Sequence, residues 1–229
     1  MTIKYHRNII QGSDEWHALR CGLITASEVK LLVTPTLKRA DNDKSRAHIW
    51  ELAAQRITRY VEPSYIGDDM LRGHEDEYFA RQLYSEHVAA VEEIGFVTND
   101  SFGFVLGCSP DGLVGDDGMI ECKSRRQKFQ IQTIVEHWRD GIVPDDWKLQ
   151  HQTGMLVCNR AWCDLISYSG GLPMKPIRIE RDEAICKAIV EACTAAEVAI
   201  AAVVADYAAA IKVGGFIETK RQVRQEMHL

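Results

Sequence analysis

The chain has 229 residues, 46% of them hydrophobic, enough to bury a sizeable core in one globular domain. No Pro-rich, Ser-rich or repeated stretch divides it, so a single domain over residues 1–229 is expected. The formal charge of −6 sits poorly with a polyanionic ligand unless cations offset clustered acids or the Lys and Arg side chains gather on one surface.

Seven cysteines, an odd number with no paired metal-ligand spacing, argue against a disulfide framework and suit a reduced cytoplasm. Cys186 and Cys193, seven apart on a predicted helix, read as small apolar core residues. The N-terminal residues lack the apolar core of a signal peptide, and the longest apolar run, residues 198–204, is too short to span a bilayer. A soluble, cytoplasmic protein without membrane contact is expected.

In chain order, Ser13 caps a short helix with Asp14 and Glu15 in its first turn, and Gly22 ends it. Thr25 and Glu28 have capping-box spacing, which predicts a second helix carrying Val29, Leu32 and Val33. Helical spacing lapses over residues 35–45, a loop or arm with Lys38, Arg39 and Lys44, and Arg46 follows. It resumes over residues 47–60 through Ile49, Trp50, Ala53 and Ile57, and again over residues 68–87 with Leu71, Phe79 and Leu83 as buried positions. Phe102, Phe104, Leu106 and Cys108 alternate as in a strand, and residues 119–123 form the next one. A helix over 145–157, strands over 162–169 and 177–180, and a long Ala-rich helix over 182–212 complete an α/β (α+β) pattern.

The stretch from Cys108 to Lys123 is the most informative. Asp116-Asp117-Gly118 suits a three-residue hairpin loop flanked by Gly115 and Met119, with Asp111 opposite Lys123. Side chains alternate along strands, so Asp111, Glu121 and Lys123 emerge on one face and Ile120 and Cys122 on the other. Carboxylates grouped this way suit a hard divalent cation with open positions for a phosphate oxygen and a water. Lys123 could orient that water, assist its deprotonation or stabilise developing charge. An Asp-Gly turn beside an exposed Glu-Lys pair would look the same locally.

Pro110-Asp111 followed by Glu121-Cys122-Lys123 resembles the signature of the PD-(D/E)XK nucleases, and its surroundings resemble the lambda exonuclease or YqaJ-type viral recombinase branch. Three further stretches carry the likeness: residues 11–27 around Asp14-Glu15-Trp16, Gly73-His74-Glu75-Asp76-Glu77, and Leu149-Gln150-His151-Gln152. Together the resemblance covers roughly residues 10–170. It implies a restriction-endonuclease-like core, a central mixed sheet flanked by helices. It also implies a Mg²⁺ ion, replaceable by Mn²⁺, at Glu77, Asp111, Glu121 and Cys122. Glu75 is the competing acid on the same helix; the resemblance favours Glu77, and the small Gly73 and Ala80 one turn away would let it approach a metal.

Lys123 and Gln150 complete the catalytic set the resemblance implies, with Gln152 as the alternative glutamine. Arg20, Ser27 and Ser109 would bind a 5′-terminal phosphate, helped by free amides at the expected helix start near Ser27. The implied activity is 5′→3′ hydrolysis of one strand of linear double-stranded DNA, by a homotrimeric ring with Lys38, Arg39, Lys44 and Arg46 facing the DNA, alongside a single-strand annealing protein. The nearest rival is an endonuclease of the same superfamily. A non-catalytic DNA-binding module is less consistent with carboxylates facing phosphates.

Overall fold

A computed structural model describes residues 2–63 and 67–221. Among these residues the expected α/β pattern of mixed sheet flanked by helices is found, its eight strands divided between two four-stranded sheets. The first contains β1 (Ile3–His6), β2 (Ile24–Thr25), β3 (Phe96–Asn99) and β4 (Leu106–Cys108) in the order β1-β3-β4-β2, with β2 parallel to β4. The second runs β5 (Gly112–Val114), β6 (Gly118–Ser124), β7 (Trp162–Tyr168), β8 (Ile177–Glu180), with β6 and β7 parallel. Both are mixed, and the chain crosses between them at Ser109, Pro110 and Asp111.

The helices are α1 (Asp14–Arg20), α2 (Asp43–Thr58), α3 (Asp68–His87), α4 (Gln127–Gln132), α5 (Asp145–Cys158) and α6 (Glu183–Val213). Ser13 caps α1 by accepting the Trp16 amide. In α2, Asn42 and Ser45 form a reciprocal capping box, so the helix starts at Asp43 and takes Lys44 out of the expected loop. Its buried positions include Ser45, His48, Leu52 and Ala53, whereas Trp50 is 63% exposed. On α3, Ala80 and Tyr84 are buried, while Leu71 and Phe79 face outward and Leu83 is half-buried.

Two further expectations fail. Ile24 and Thr25 join β4 as a strand, leaving a single 3₁₀ turn at Val29–Leu31 instead of a helix. Thr25 Oγ1 donates to the Glu28 carboxylate, a side-chain bond that imitates a capping box with no helix behind it. Phe102 and Phe104 lie in a turn, stacked 6.0 Å apart against the core, and the strand begins only at Leu106.

The β5–β6 hairpin is also shifted. Val114 pairs with Gly118, so the loop is Gly115-Asp116-Asp117 and Gly115, at φ 53°, takes the left-handed conformation expected of Gly118. A Cβ on Gly118 would stand 2.2 Å from the Trp162 ring, which ties this glycine to the sheet. The slip is two residues. Side-chain alternation has a period of two, so the expected face of Asp111, Glu121 and Lys123 survives.

One apolar cluster joins both sheets to α2, α5 and α6 through Leu106, Leu113, Met119, Met155, Ile189 and their neighbours. Ile120, Cys122 and Ile166 pack on the reverse face against Ala80 and Tyr84 of α3. α6 is long and apolar enough to cross a membrane by length and composition, contrary to the estimate from its longest apolar run. Its residues Ile185, Cys186, Ile189, Cys193 and Ile200 are nevertheless buried in the core, and Glu197 receives both guanidinium nitrogens of Arg56 at 2.6 and 2.7 Å.

Gly95 lets the chain reach β3 against the Ile9 carbonyl, where an added Cβ would stand 1.8 Å from the oxygen. Gly95→Ala should therefore destabilise the fold by about 3 kcal/mol, measured by urea denaturation. Gly73→Ala, on a helix position with open space, should stabilise by up to about 1 kcal/mol.

Candidate active site

A cleft of about 430 Å³ opens where the two sheets meet, lined by α1, α3, α5 and β6. Every candidate from the catalytic, metal and phosphate sets borders it: Arg20, Ser27, Glu77, Ser109, Asp111, Glu121, Cys122, Lys123 and Gln150. The crossing between sheets brings Ser109 and Asp111 to its floor. β6 adds Glu121 and Lys123 on the face shared with α5, and α3 adds Glu77 from the other side.

Asp111 and Glu121 are buried. Asp111 accepts the Cys122 amide through Oδ2. Lys123 Nζ lies 2.8 Å from Glu121 Oε1 and donates to Gln150 Oε1 at 3.2 Å, while Gln150 Nε2 donates to Glu121. Of the two glutamines, Gln150 lines the cleft and Gln152 does not: Gln152 is buried elsewhere, donating to the Glu180 carbonyl and accepting the Asp182 amide, and so ties α5 to the turn before α6. Of the acids on α3, Glu77 lines the cleft, and Glu75 does not. The Cys122 side chain packs on the reverse face, where burial pushes its thiol well up, so the thiol is not a ready anionic ligand.

Two residues escaped the sequence reading. Arg81 Nη1 donates to Glu77 Oε1 at 2.8 Å and to the Asp111 carbonyl at 3.2 Å, bracing two of the acids from α3. Trp16 Nε1 donates to Ser109 Oγ at 2.8 Å and its ring carries the Arg20 guanidinium 4.2 Å from the centroid. The i, i+4 spacing of Glu77 and Arg81 was a visible signal for the first; nothing local marked the second.

Arg20 also donates to Thr25 Oγ1 at 3.2 Å, and burial pulls its guanidinium below the usual range, partly offset by Glu28 and Cys108. Ser27 borders the cleft from a turn, so the helix-amide contribution expected there is absent: the 3₁₀ segment is three residues long and carries no side-chain cap. Lys38 and Arg39 lie in the exposed loop before α2, Lys44 in its first turn, and Arg46 is paired with Asp41 and Asp43 at 2.5 and 2.8 Å.

Burial raises the Asp111 carboxyl well above its ordinary value, and the charges of Glu121 and Glu77 add to this against Lys123 and the Cys122 amide. Burial likewise raises Glu77, with Arg81 opposing. Three acids offering hard oxygen donors, two of them reluctant to ionise unaided, fit a divalent cation. Glu77 is engaged by Arg81 and Glu121 by Lys123 and Gln150, and among the described residues no three ligating side chains stand together as a ready metal cage.

The fold and the site define a nuclease of the PD-(D/E)XK class. Residues 15–161 match the YqaJ-like viral recombinase domain, and the chain belongs to that family. It is similar to the alkaline exonuclease LHK-Exo from Laribacter hongkongensis, at 33% identity and TM-score 0.76 over 88% of this chain and 100% of that one. The structure of LHK-Exo in complex with dAMP matches with the same identity and coverage at TM-score 0.77. A phage-related exonuclease from Haemophilus somnus 129PT shares the fold at 14% identity and TM-score 0.56, covering 81% of this chain and 96% of that one. No curated protein sequence matches the chain.

Unfolded Asp and Glu titrate near 4, at about 3.9 and 4.3. Folding raises Asp111 and Glu77 above that, so the folded state binds more protons across the interval, and stability falls as pH rises from about 4 towards the raised values. In EDTA, Asp111→Asn should be more stable than wild type at pH 7 by on the order of 1 kcal/mol. Urea titrations should show that difference shrinking below about pH 4, where the unfolded carboxyl is also protonated.

Proposed function

We propose that this cleft is the catalytic centre of a Mg²⁺-dependent exonuclease that degrades one strand of linear duplex DNA from its 5′ end. It releases 5′-mononucleotides and leaves a 3′ single strand for recombination by annealing. Deoxyribonuclease action itself follows from the family and from the 33% identical alkaline exonuclease. The observation that carries the assignment is the meeting of Asp111, Glu121 and Lys123 with Arg20, Ser27 and Ser109 along one cleft.

Glu77, Asp111 and Glu121 would hold the ion, with Mn²⁺ as a substitute, and when bound it would polarise the phosphate and lower the pKa of a water. Lys123 is suited to stabilise charge. Although burial pulls its pKa down, Glu121 and Asp111 more than compensate and the ammonium is favoured. Gln150, a neutral amide fixed between Lys123 and Glu121, can orient a water but cannot take its proton. Arg20, held over the Trp16 ring, can offer its guanidinium to a terminal phosphate, with the Ser27 and Ser109 hydroxyls along the same cleft. A homotrimeric ring and a single-strand annealing protein partner belong to the same reading and rest on the family alone.

Asp111→Ala, Glu121→Ala and Lys123→Ala should each lower the cleavage rate by on the order of 100-fold or more while the protein still folds. Linear duplexes labelled at either end and incubated with and without Mg²⁺ report both rate and direction; wild-type loss of the 3′ label first would reverse the polarity. A 5′-phosphorylated duplex should be cut faster than its 5′-hydroxyl counterpart, and Arg20→Ala should shrink that advantage. Equal wild-type rates on the two ends would remove the phosphate pocket and leave the catalytic set standing.

A further inference from the structure

A second groove, of about 660 Å³, lies between α5 and the segment from the 3₁₀ turn to the start of α2. Lys30, Lys44 and Lys148 line it, together with Trp147 and an apolar floor in which Pro35 and Leu37 are exposed above the buried Leu149 and Ile185; no carboxylate among the described residues lines it. None of the three lysines forms an ion pair among the described residues, in contrast to Arg46. In a chain of net charge −6, a groove whose charged lining residues are all cationic is a local inversion of sign. It also adjoins the catalytic cleft. Trp147 precedes Gln150 by three residues on α5, which makes them neighbours on one flank of the helix, and Arg125, two residues beyond Lys123, stands 4.6 Å from the Trp147 ring centroid.

We propose that this groove binds single-stranded DNA, specifically the strand that the nuclease leaves uncut. The lysines would meet its phosphates, and Trp147 with the apolar floor would receive unstacked bases. The apolar lining selects the single strand: a duplex shows its phosphates but keeps its base faces stacked inside, so the floor and the tryptophan would gain nothing from it. This extends the reading of the chain as a DNA nuclease, and places a product subsite one helical turn from Gln150.

The test is fluorescence anisotropy of a labelled oligothymidylate on the full chain in EDTA, with a blunt hairpin duplex as competitor. The Lys30→Gln/Lys148→Gln double variant should bind the oligothymidylate less tightly, with the slope of log affinity against log salt reduced by about 1.4, roughly 0.7 per lost phosphate contact. Trp147→Leu should weaken it about tenfold. Should Trp147→Leu misfold, as circular dichroism would reveal, the exposed lysines decide alone. Unchanged affinity and slope in the double variant would overturn the proposal, as would an equal loss of duplex binding. Mg²⁺-dependent release of nucleotides by wild type, measured in parallel, separates the two ideas. A wild type that digests DNA while the groove variants bind normally loses only the groove; an inactive wild type loses the nuclease reading, and the variants' anisotropy still judges the groove.

Discussion

Burying several carboxylates together is the constraint on which the rest of this structure depends. Two like charges about 4 Å apart repel by about 4 kcal/mol at the effective dielectric near a protein surface, and Asp111 meets both Glu121 and Glu77 at a buried position. The surroundings offset that cost piece by piece. The Cys122 amide holds Asp111, Lys123 and Gln150 hold Glu121, and Arg81 reaches from α3 to Glu77 and the Asp111 carbonyl. β6 needs a glycine at its start to pack against Trp162, and α5 must run along its face to deliver Gln150. In the proposed reading, the residual excess of negative charge is what a divalent cation would exploit, so the strain on stability and the capacity for chemistry would have the same source.

Net charge misleads here because function depends on its distribution. Arg46 was expected to face DNA, yet two aspartates pair with it in the first turns of a capped helix. Lys30 and Lys148 drew no notice in the sequence because they are far apart along the chain, and only packing of the 3₁₀ segment against α5 gathers them with Lys44. A formal charge of −6 is thus compatible with a locally cationic track leading away from an acidic centre.

What could be read without coordinates follows from how local the signals are. The bounds of α3 and β8, and the shared face of Asp111, Glu121 and Lys123, depend on periodicity within a short segment and are found as expected. β1 and β3 are only four residues each and pair with each other across more than ninety residues, so no local signal marked them. Thr25 and Glu28 show the opposite failure: a local hydrogen bond imitates the start of a helix, while pairing of Ile24 and Thr25 with β4 sets the backbone. The hairpin slipped by two because Gly115 and Gly118 both fit a left-handed position and Trp162, distant in sequence, excludes a side chain at Gly118. Gln150 and Gln152 were separable only by which one the helix turns towards Lys123.

The neighbour of Gln150 sharpens the division of labour in the cleft. His151 is fully buried, neither ring nitrogen has a hydrogen-bond partner, and burial, with Lys123 nearby, pushes its pKa down to about 3. An imidazole in that state is neutral throughout the physiological range, so it adds no second cation beside Lys123. The Coulombic attraction of Glu121 and Asp111 is therefore not shared with a charged histidine, which helps to keep Lys123 an ammonium despite its burial. A protonated lysine beside a neutral amide and a neutral imidazole leaves positive charge concentrated at one atom, Nζ of Lys123, within hydrogen-bond reach of Glu121 and Gln150. If the cleft is the proposed catalytic centre, that placement favours stabilisation of a developing phosphate charge over proton abstraction by Lys123, because an ammonium has no lone pair with which to act as a base.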